Sequence, residues 1–329
     1  MGCSRVSIAL ATYNGERFLS QQLESYLRQT RLPDELCISD DGSSDDTLQL
    51  AEEFRKKAPF PVRIGRNHQR PGVNGNFESV MLDCRGDIIL FSDQDDVWLP
   101  NHVEVLAGLL ESDARITAAA SNSKYVNEEL VETGVDAQSS ERYPNRMRDA
   151  VRRLPANQFE LVLRHRIAYG HGMAIQSRLV PVLVPLSETW TWDQWIFILA
   201  AAAGRVTYAT VPLTLHRQHS RQAAGNRRAN LSQWATNSAK RSLSEEQVEI
   251  ERWREFVTCA TERRDLLPNA QFVLEALQAK LAFVTRRIQA RGSGLPSRTA
   301  FALRELLSGR YHRWGRGFLT FARDLYGRS

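Results

Sequence analysis

An α/β fold, with a largely parallel sheet covered by helices on both faces and then a C-terminal α-helical region, is what this sequence predicts. Three observations carry it. Strand-like and helix-like segments alternate over the first two hundred residues, and strands joined by helical crossovers pair in parallel with both faces buried. Three strand ends carry polar clusters: Thr12-Tyr13-Asn14-Gly15, Asp40-Asp41-Gly42-Ser43 and Asp93-Gln94-Asp95-Asp96. Open α/β sheets bind ligands just beyond the carboxyl ends of their strands. Past about residue 225 the strand signal stops, so the expected domains are 1–224 and a helical 225–329.

The elements follow in order. Val6–Ala11 is β-rich, and Phe18–Gln29 repeats apolar residues at helical spacing. Glu35–Ser39 reads as a second strand, followed by a helix over Asp45–Lys57 with Ser43 and Asp46 at capping-box spacing. Pro61–Ile64 is a third strand, Asn76–Asp83 a short helix, and Asp87–Ser92 a fourth strand ending in the acidic cluster, with a helix opening near Pro100. Asn122–Pro155 is polar and weakly periodic, the mark of a long loop. Strand character resumes over Gly170–Ile175, a helix is expected over Trp192–Ala203 and extended chain over Val206–Leu215. Helices over Ser244–Leu267 and Ala270–Ala290 precede a basic tail.

Composition narrows the function classes. The 329 residues are 42% hydrophobic and 25% charged, ordinary for a globular protein. The longest apolar run, Trp195–Ala203, is too short to span a bilayer. No signal peptide is legible, and Val6 stands where a myristoylation signal wants Ser or Thr, so a cytoplasmic protein is expected. Cys3, Cys37, Cys84 and Cys259 are isolated, which points to spectator thiols rather than a zinc site or disulfides. The net charge of +5 is uneven: Arg286–Ser329 carries ten Arg against Glu305 and Asp324, leaving the rest of the chain at −3. Basicity confined to a tail that also holds Tyr311, Trp314, Phe318, Phe321 and Tyr326 suits an anionic membrane surface. No nucleic-acid partner is expected, and the oligomeric state is open.

The acidic cluster is the sharpest chemical signal. Carboxylates two residues apart beyond a strand reach one small volume and repel unless a cation lies between them. Oxygen donors of this kind suit Mg²⁺ or Mn²⁺ beside a substrate phosphate. The competing reading makes these acids caps of the helix near Pro100. No Walker sequence and no GxGxxG is present, which disfavours P-loop and dinucleotide enzymes. A second acid, Asp193, stands among Trp190, Trp192 and Trp195. Aromatic walls suit a sugar ring, and a carboxylate beside them can take a proton from a hydroxyl; its plain alternative is a partner for the helix dipole. Arg217-Gln218-His219 follows the last extended run.

Together Ala11–Glu16, Ser39–Asp45, Phe91–Pro100, Trp192–Trp195 and Arg217–His219 resemble a family 2 glycosyltransferase of the GT-A fold, in particular its bacterial rhamnosyltransferase-like branch. The resemblance runs over about residues 5–222 in the family's order, and five linked motifs make it specific. It implies a GT-A Rossmann-like nucleotide-sugar-binding sheet and an inverting transferase. The donor would be a nucleotide-diphosphate sugar, with dTDP-rhamnose the best guess. The acceptor would be a lipid-linked or polysaccharide hydroxyl of a growing cell-surface glycan, met free in the cytoplasm or peripherally at the inner membrane face. It implies that Thr12, Tyr13 and Asp41 hold the nucleoside, with Asn14, Glu16, Asp40, Asn76, Asp93, Gln94 and Trp192 also around the nucleotide sugar. Asp95, Asp93 and His219 would hold the metal, and Asp193 would be the catalytic base. Gly75 stands where that branch commonly has a longer side chain. Two other classes stay open at this point: a sugar-phosphate nucleotidyltransferase, which would want a Gly-rich basic loop near Thr12–Arg17, and a non-catalytic nucleotide-sugar or glycan-binding module.

Overall fold

The computed structural model describes residues 4–136, 158–165, 168–220 and 243–326. The chain forms two compact units, Met1–Gln158 with Ile167–Asn226, and Phe159–Arg166 with Arg227–Ser329. The boundary expected near residue 225 and most of the expected long loop lie outside the described residues.

The first unit is built on a sheet with, among the described residues, nine strands in the order β3-β2-β1-β4-β8-β6-β9-β5, with β7 on β6. These are β1 (Val6–Thr12), β2 (Glu35–Asp40), β3 (Val62–Arg66), β4 (Ile88–Ser92), β5 (Val97–Trp98), β6 (Ile116–Val126), β7 (Glu132–Asp136), β8 (Met173–Gln176) and β9 (Arg205–Arg217). The first four pair in parallel. Consecutive Ile8, Ala9 and Leu10 are all buried, as they must be in a strand with helices on both faces. Burying a side chain such as Leu10 contributes about 1.5–3 kcal/mol.

The parallel expectation ends at β4. Strand β8 runs antiparallel to both β4 and β6, β9 is parallel to β6, and β5 returns antiparallel to β9, so the sheet is mixed. The loop expected from Asn122 begins instead inside the eleven-residue β6. Ser121, Asn122 and Ser123 hid it: they are polar yet buried, so the strand lacks apolar alternation. Its register against β9 slips where Asn122 meets Pro212, a residue with no N–H for the ladder.

Helices Glu16–Leu27, Thr47–Lys57, Val73–Asp83, His102–Glu111 and Trp192–Ala203 belong to this unit. In the last, every residue except Gln194 and Ala203 is buried. The capping box expected at Ser43 does not form: Ser43 Oγ donates to Asp40, and Asp45 takes the Thr47 N–H at 3.1 Å. The acids after β4 do not cap the next helix either, because Asp96 is bonded to β9.

The second unit is helical, with Leu243–Glu262, Ala270–Arg291, Leu295–Leu307, Arg310–Trp314 and Phe318–Tyr326. Asp324 is its polar anchor. It accepts two bonds from Arg287, at 2.6 and 2.8 Å, two from Arg291, at 2.8 and 3.1 Å, and the Tyr311 hydroxyl at 2.8 Å. Lys280 donates to the Trp314 carbonyl at 2.6 Å beneath the Trp253 ring. Tyr311 and Trp314 are therefore buried, which corrects the expectation that they face a membrane. The described cysteines Cys37, Cys84 and Cys259 are free thiols.

Candidate active site

The ends of β1, β2 and β4 lie side by side, so their three polar clusters meet. The turn after β1 places Asn14 in the left-handed region (φ 46°). The Asn14 N–H bonds Ser43 Oγ at 2.8 Å, and its side-chain oxygen takes the Ser44 N–H at 2.9 Å. Between the same two loops the Glu16 N–H donates to Asp45 Oδ2 and the Glu16 carboxylate accepts the Asp46 N–H, both at 3.2 Å. Gln94 accepts from the Tyr13 N–H and donates to the Tyr13 carbonyl, both at 2.9 Å. A Cβ at Gly15 would lie 2.3 Å from that amide, so a side chain there would displace Gln94 from the Tyr13 backbone. Asn14, Glu16 and Gln94 thus lace the rim together, while the Tyr13 ring is 55% exposed. Asp41 accepts from Asn67 Nδ2 and from the Gly72 N–H, each at 2.7 Å.

Four of the residues expected around the nucleotide sugar, Thr12, Asp40, Asn76 and Trp192, are engaged within the protein. Asp40 is buried, with its carboxylate taken by Thr12 Oγ1 at 2.9 Å, by Ser43 Oγ and by the Gly42 and Ser43 N–H groups. Thr12 and Asp40 therefore lock the loop bases. Asn76 is buried and donates to the Thr12 carbonyl at 3.0 Å. The Trp192 ring stacks on Phe77 at 3.8 Å, leans on Phe91, and leaves no room for a side chain at Gly170, so it fills the core rather than walling a sugar. Trp195 is buried too, its Nε1 donating to the Leu183 carbonyl at 2.9 Å. Of the three tryptophans, Trp190 alone is half-buried.

The acidic turn is the electrostatic centre. His219 Nε2 lies 2.8 Å from Asp95 Oδ2, although the two are 124 residues apart in sequence. Burial, then the charges of Asp96 and Asp95, push the Asp93 carboxyl well above the usual carboxylate range, with Asp193 adding to the rise. Asp193 is thus felt at Asp93. Carboxylate oxygens and an imidazole nitrogen on a self-repelling cluster are a donor set that fits a divalent cation.

Beneath this turn lie residues to which the sequence reading gave no role in the site. Asp96 Oδ1 takes the His216 Nδ1 proton at 2.9 Å and the Arg217 N–H at 3.0 Å. Burial opposes charge on His216, but Asp96, then Asp95 and Asp93, lift its pKa to about 9. Arg217 is fully buried; it donates to the Asp95 carbonyl at 2.8 Å, to the Glu128 carbonyl and to Gln21, and lies over the Phe18 ring. The signal for Arg217 was its place two residues before His219. Asp96, His171 and His216 bring donor atoms within 4.8 Å of one another. Yet the two imidazoles stack at 4.1 Å and 18°, so their in-plane lone pairs do not converge, and His216 Nδ1 is committed to Asp96.

Asp193 opens the helix Trp192–Ala203 and is buried. Its Oδ1 accepts the Thr191 hydroxyl at 2.6 Å and the Gln194 N–H at 2.8 Å, which fixes the carboxylate. Gly75 has a local reason: a Cβ there would meet the Arg70 carbonyl at 1.7 Å.

Comparison with known proteins agrees with this arrangement. Residues 7–169 match the family described as Glycosyl transferase family 2. A dTDP-rhamnosyl transferase, RfbG of Shigella flexneri, is 37% identical over 99 residues, which is 29% of this chain and 34% of that protein. The aligned part thus spans about a third of that curated relative. Among solved structures, a mannosyltransferase of Pyrobaculum calidifontis in complex with GDP-Man and Mn²⁺ superposes with TM-score 0.54 at 14% identity, covering 99% of this chain and 86% of that one. S. aureus TarS superposes with TM-score 0.53 at 17% identity, covering 86% and 90%. The strand-end clusters, the mixed sheet and these matches agree: the chain belongs to glycosyl transferase family 2, and its fold is GT-A with a helical C-terminal region.

Proposed function

We propose that the chain is an inverting glycosyltransferase, transferring a sugar from a nucleotide-diphosphate donor to a hydroxyl of a growing cell-surface glycan. The observation that carries this is the joining of Asp95 to His219 beside Asp93 at the carboxyl end of β4. Asp95, Asp93 and His219 would hold Mg²⁺ or Mn²⁺, which when bound neutralises charge on the leaving diphosphate. Tyr13 and Asp41 border the nucleoside end. Asp193 accepts the acceptor's proton as its oxygen attacks the anomeric carbon from the side opposite the diphosphate, so one displacement inverts the centre. Thr191 and Gln194 keep the carboxylate aimed, and no enzyme nucleophile is required.

Likeness to the dTDP-rhamnosyl transferase supports dTDP-rhamnose as donor. A ligand at 100 times its Kd adds about 2.7 kcal/mol to stability, enough to raise the Tm by several degrees. In a thermal-shift series with Mn²⁺, dTDP-rhamnose should therefore stabilise the protein more than UDP-glucose or GDP-mannose. Stabilisation by UDP or GDP sugars alone removes the rhamnosyl reading; stabilisation by none of the three removes the donor site.

A peripheral membrane contact is supported by the helical unit. No helix among the described residues is long and apolar enough to cross a membrane. Both acids of Leu295–Tyr326, Glu305 and Asp324, are buried, so the solvent-facing formal charges of this stretch are guanidinium groups. Leu307, Phe318 and Leu319 are exposed nearby in sequence. These side chains, rather than Tyr311 and Trp314, would enter the interface. Replacing all three with Ser removes about 3 kcal/mol of apolar transfer. The variant should partition on the order of 10²-fold less onto phosphatidylglycerol-containing vesicles, and high salt should weaken wild-type binding. Sedimentation of the variant equal to wild type, or wild type that stays in the supernatant, overturns the membrane reading.

A further inference from the structure

The helix that delivers Asp193 is capped from across the fold. At the start of Trp192–Ala203 the expected cap is Thr191, whose hydroxyl would accept an orphan N–H of the first turn. It donates to Asp193 instead, and makes no such capping bond. The Trp192 N–H is taken by Asn74 Oδ1 at 3.1 Å, from a residue 118 positions earlier. The same amide donates through Nδ2 to the Ser187 and Trp190 carbonyls, each at 2.7 Å. Asn74 therefore uses both ends of its side chain on the short segment that precedes the base.

Its neighbours act on the same segment. Arg70 Nη2 donates to the Leu186 carbonyl at 2.5 Å and the Ser187 carbonyl at 3.1 Å. The buried Glu78 accepts the Leu186 N–H at 2.8 Å and faces Arg70 Nη1 at 3.5 Å. Asn74 and Glu78 stand one turn apart on the helix Val73–Asp83 and Arg70 lies just before it, so the three grip the loop together. The other end of this segment is tied to the donor side: Asn67 Nδ2 bridges the Arg70 carbonyl (3.0 Å) and Asp41, and the Gly72 N–H bonds Asp41.

We propose that Asn74, backed by Arg70 and Glu78, is the positioning residue for Asp193: it fixes the loop Leu186–Trp192, and with it the first turn of the base-bearing helix, relative to the donor-side carboxylate Asp41. The proposal rests on the reading of Asp193 as the base. Asn74 touches no reacting atom; it sets where the proton acceptor stands. Misplacing a catalytic group by about 1 Å costs on the order of 10²-fold in rate, and that is the loss at stake.

The test is nucleotide release from the best-stabilising nucleotide sugar with Mn²⁺ and water as acceptor, in Asn74→Ala, Asn74→Asp, Asp193→Asn and the Asn74→Ala/Asp193→Asn double variant. Donor affinity is read by thermal shift on the same proteins. Asn74→Ala should lower kcat on the order of 10²-fold while donor Kd stays within about twofold, a split that a general loss of structure does not give. Asn74→Asp keeps the acceptor for the Trp192 N–H and loses both donations, so it should fall between wild type and Ala, and it carries the test should Ala not fold. Combining Asn74→Ala with Asp193→Asn should cost nothing further, because there is no base left to misplace. A full multiplicative loss in the double variant, or wild-type kcat in Asn74→Ala, overturns the positioning role. Wild-type turnover in Asp193→Asn alone instead overturns the base assignment, and the two failures are told apart by which single variant is silent.

Discussion

Asp95→Ala is expected to abolish metal-dependent nucleotide release, with a loss on the order of 10³-fold, and to erase the Mn²⁺-dependent part of donor stabilisation. The fold should survive, because Arg217 grips the Asp95 carbonyl and not its carboxylate, so the turn keeps its backbone anchor. His219 loses its partner at 2.8 Å in the same variant, which removes two of the three proposed donors from their present arrangement. Asp93→Ala should be milder. It deletes one donor but also relieves the repulsion that, after burial, holds Asp93 above the usual carboxylate range. Full turnover by Asp95→Ala protein after EDTA treatment would mean that the turn beyond β4 holds no functional cation.

Asp193→Asn should lower turnover by roughly 10²–10⁴-fold, the usual worth of general-base catalysis. The amide oxygen can still accept the Thr191 hydroxyl and the Gln194 N–H that now converge on Oδ1. Shape and helix start are therefore kept while proton acceptance is lost. Donor stabilisation in the thermal-shift assay should barely change, since the base addresses the acceptor. A variant that loses donor binding but turns over normally at saturating donor would move Asp193 to the donor site and leave the base unassigned.

Much of the candidate site was legible because the residues of its proposed chemistry are contiguous. Strand ends are short, so Asp93 to Asp96 and Thr12 to Gly15 announce themselves as clusters, and the Arg217-Gln218-His219 run marks the last strand's exit. What could not be read was which members of a cluster face a ligand. Asp40 and Asp41 are adjacent, yet Asp40 closes its own loop with Thr12 while Asp41 turns outward to Asn67 and Gly72. Adjacent positions at a strand end point to opposite sides, and sequence alone does not say which side is the cleft. Trp192 failed in the same way, since an aromatic ring serves a sugar or a core equally well until its neighbours Phe77 and Phe91 are known.

The sequence by itself determined the alternation of strands and helices through β4, the helical C-terminal region, and the residue types of the proposed cation and sugar-nucleotide site, because periodicity and turn chemistry are local. Tertiary structure alone decided the antiparallel reversal at β8, the strand character of Ile116–Val126 with its buried Ser121, Asn122 and Ser123, and the inward packing of Tyr311 and Trp314. It also decided the cross-chain bonds Asp95 to His219 and Asn74 to Trp192. These depend on which distant segments share a hydrogen bond or a desolvated volume, and a buried polar group declares its partner only when the chain has closed around it.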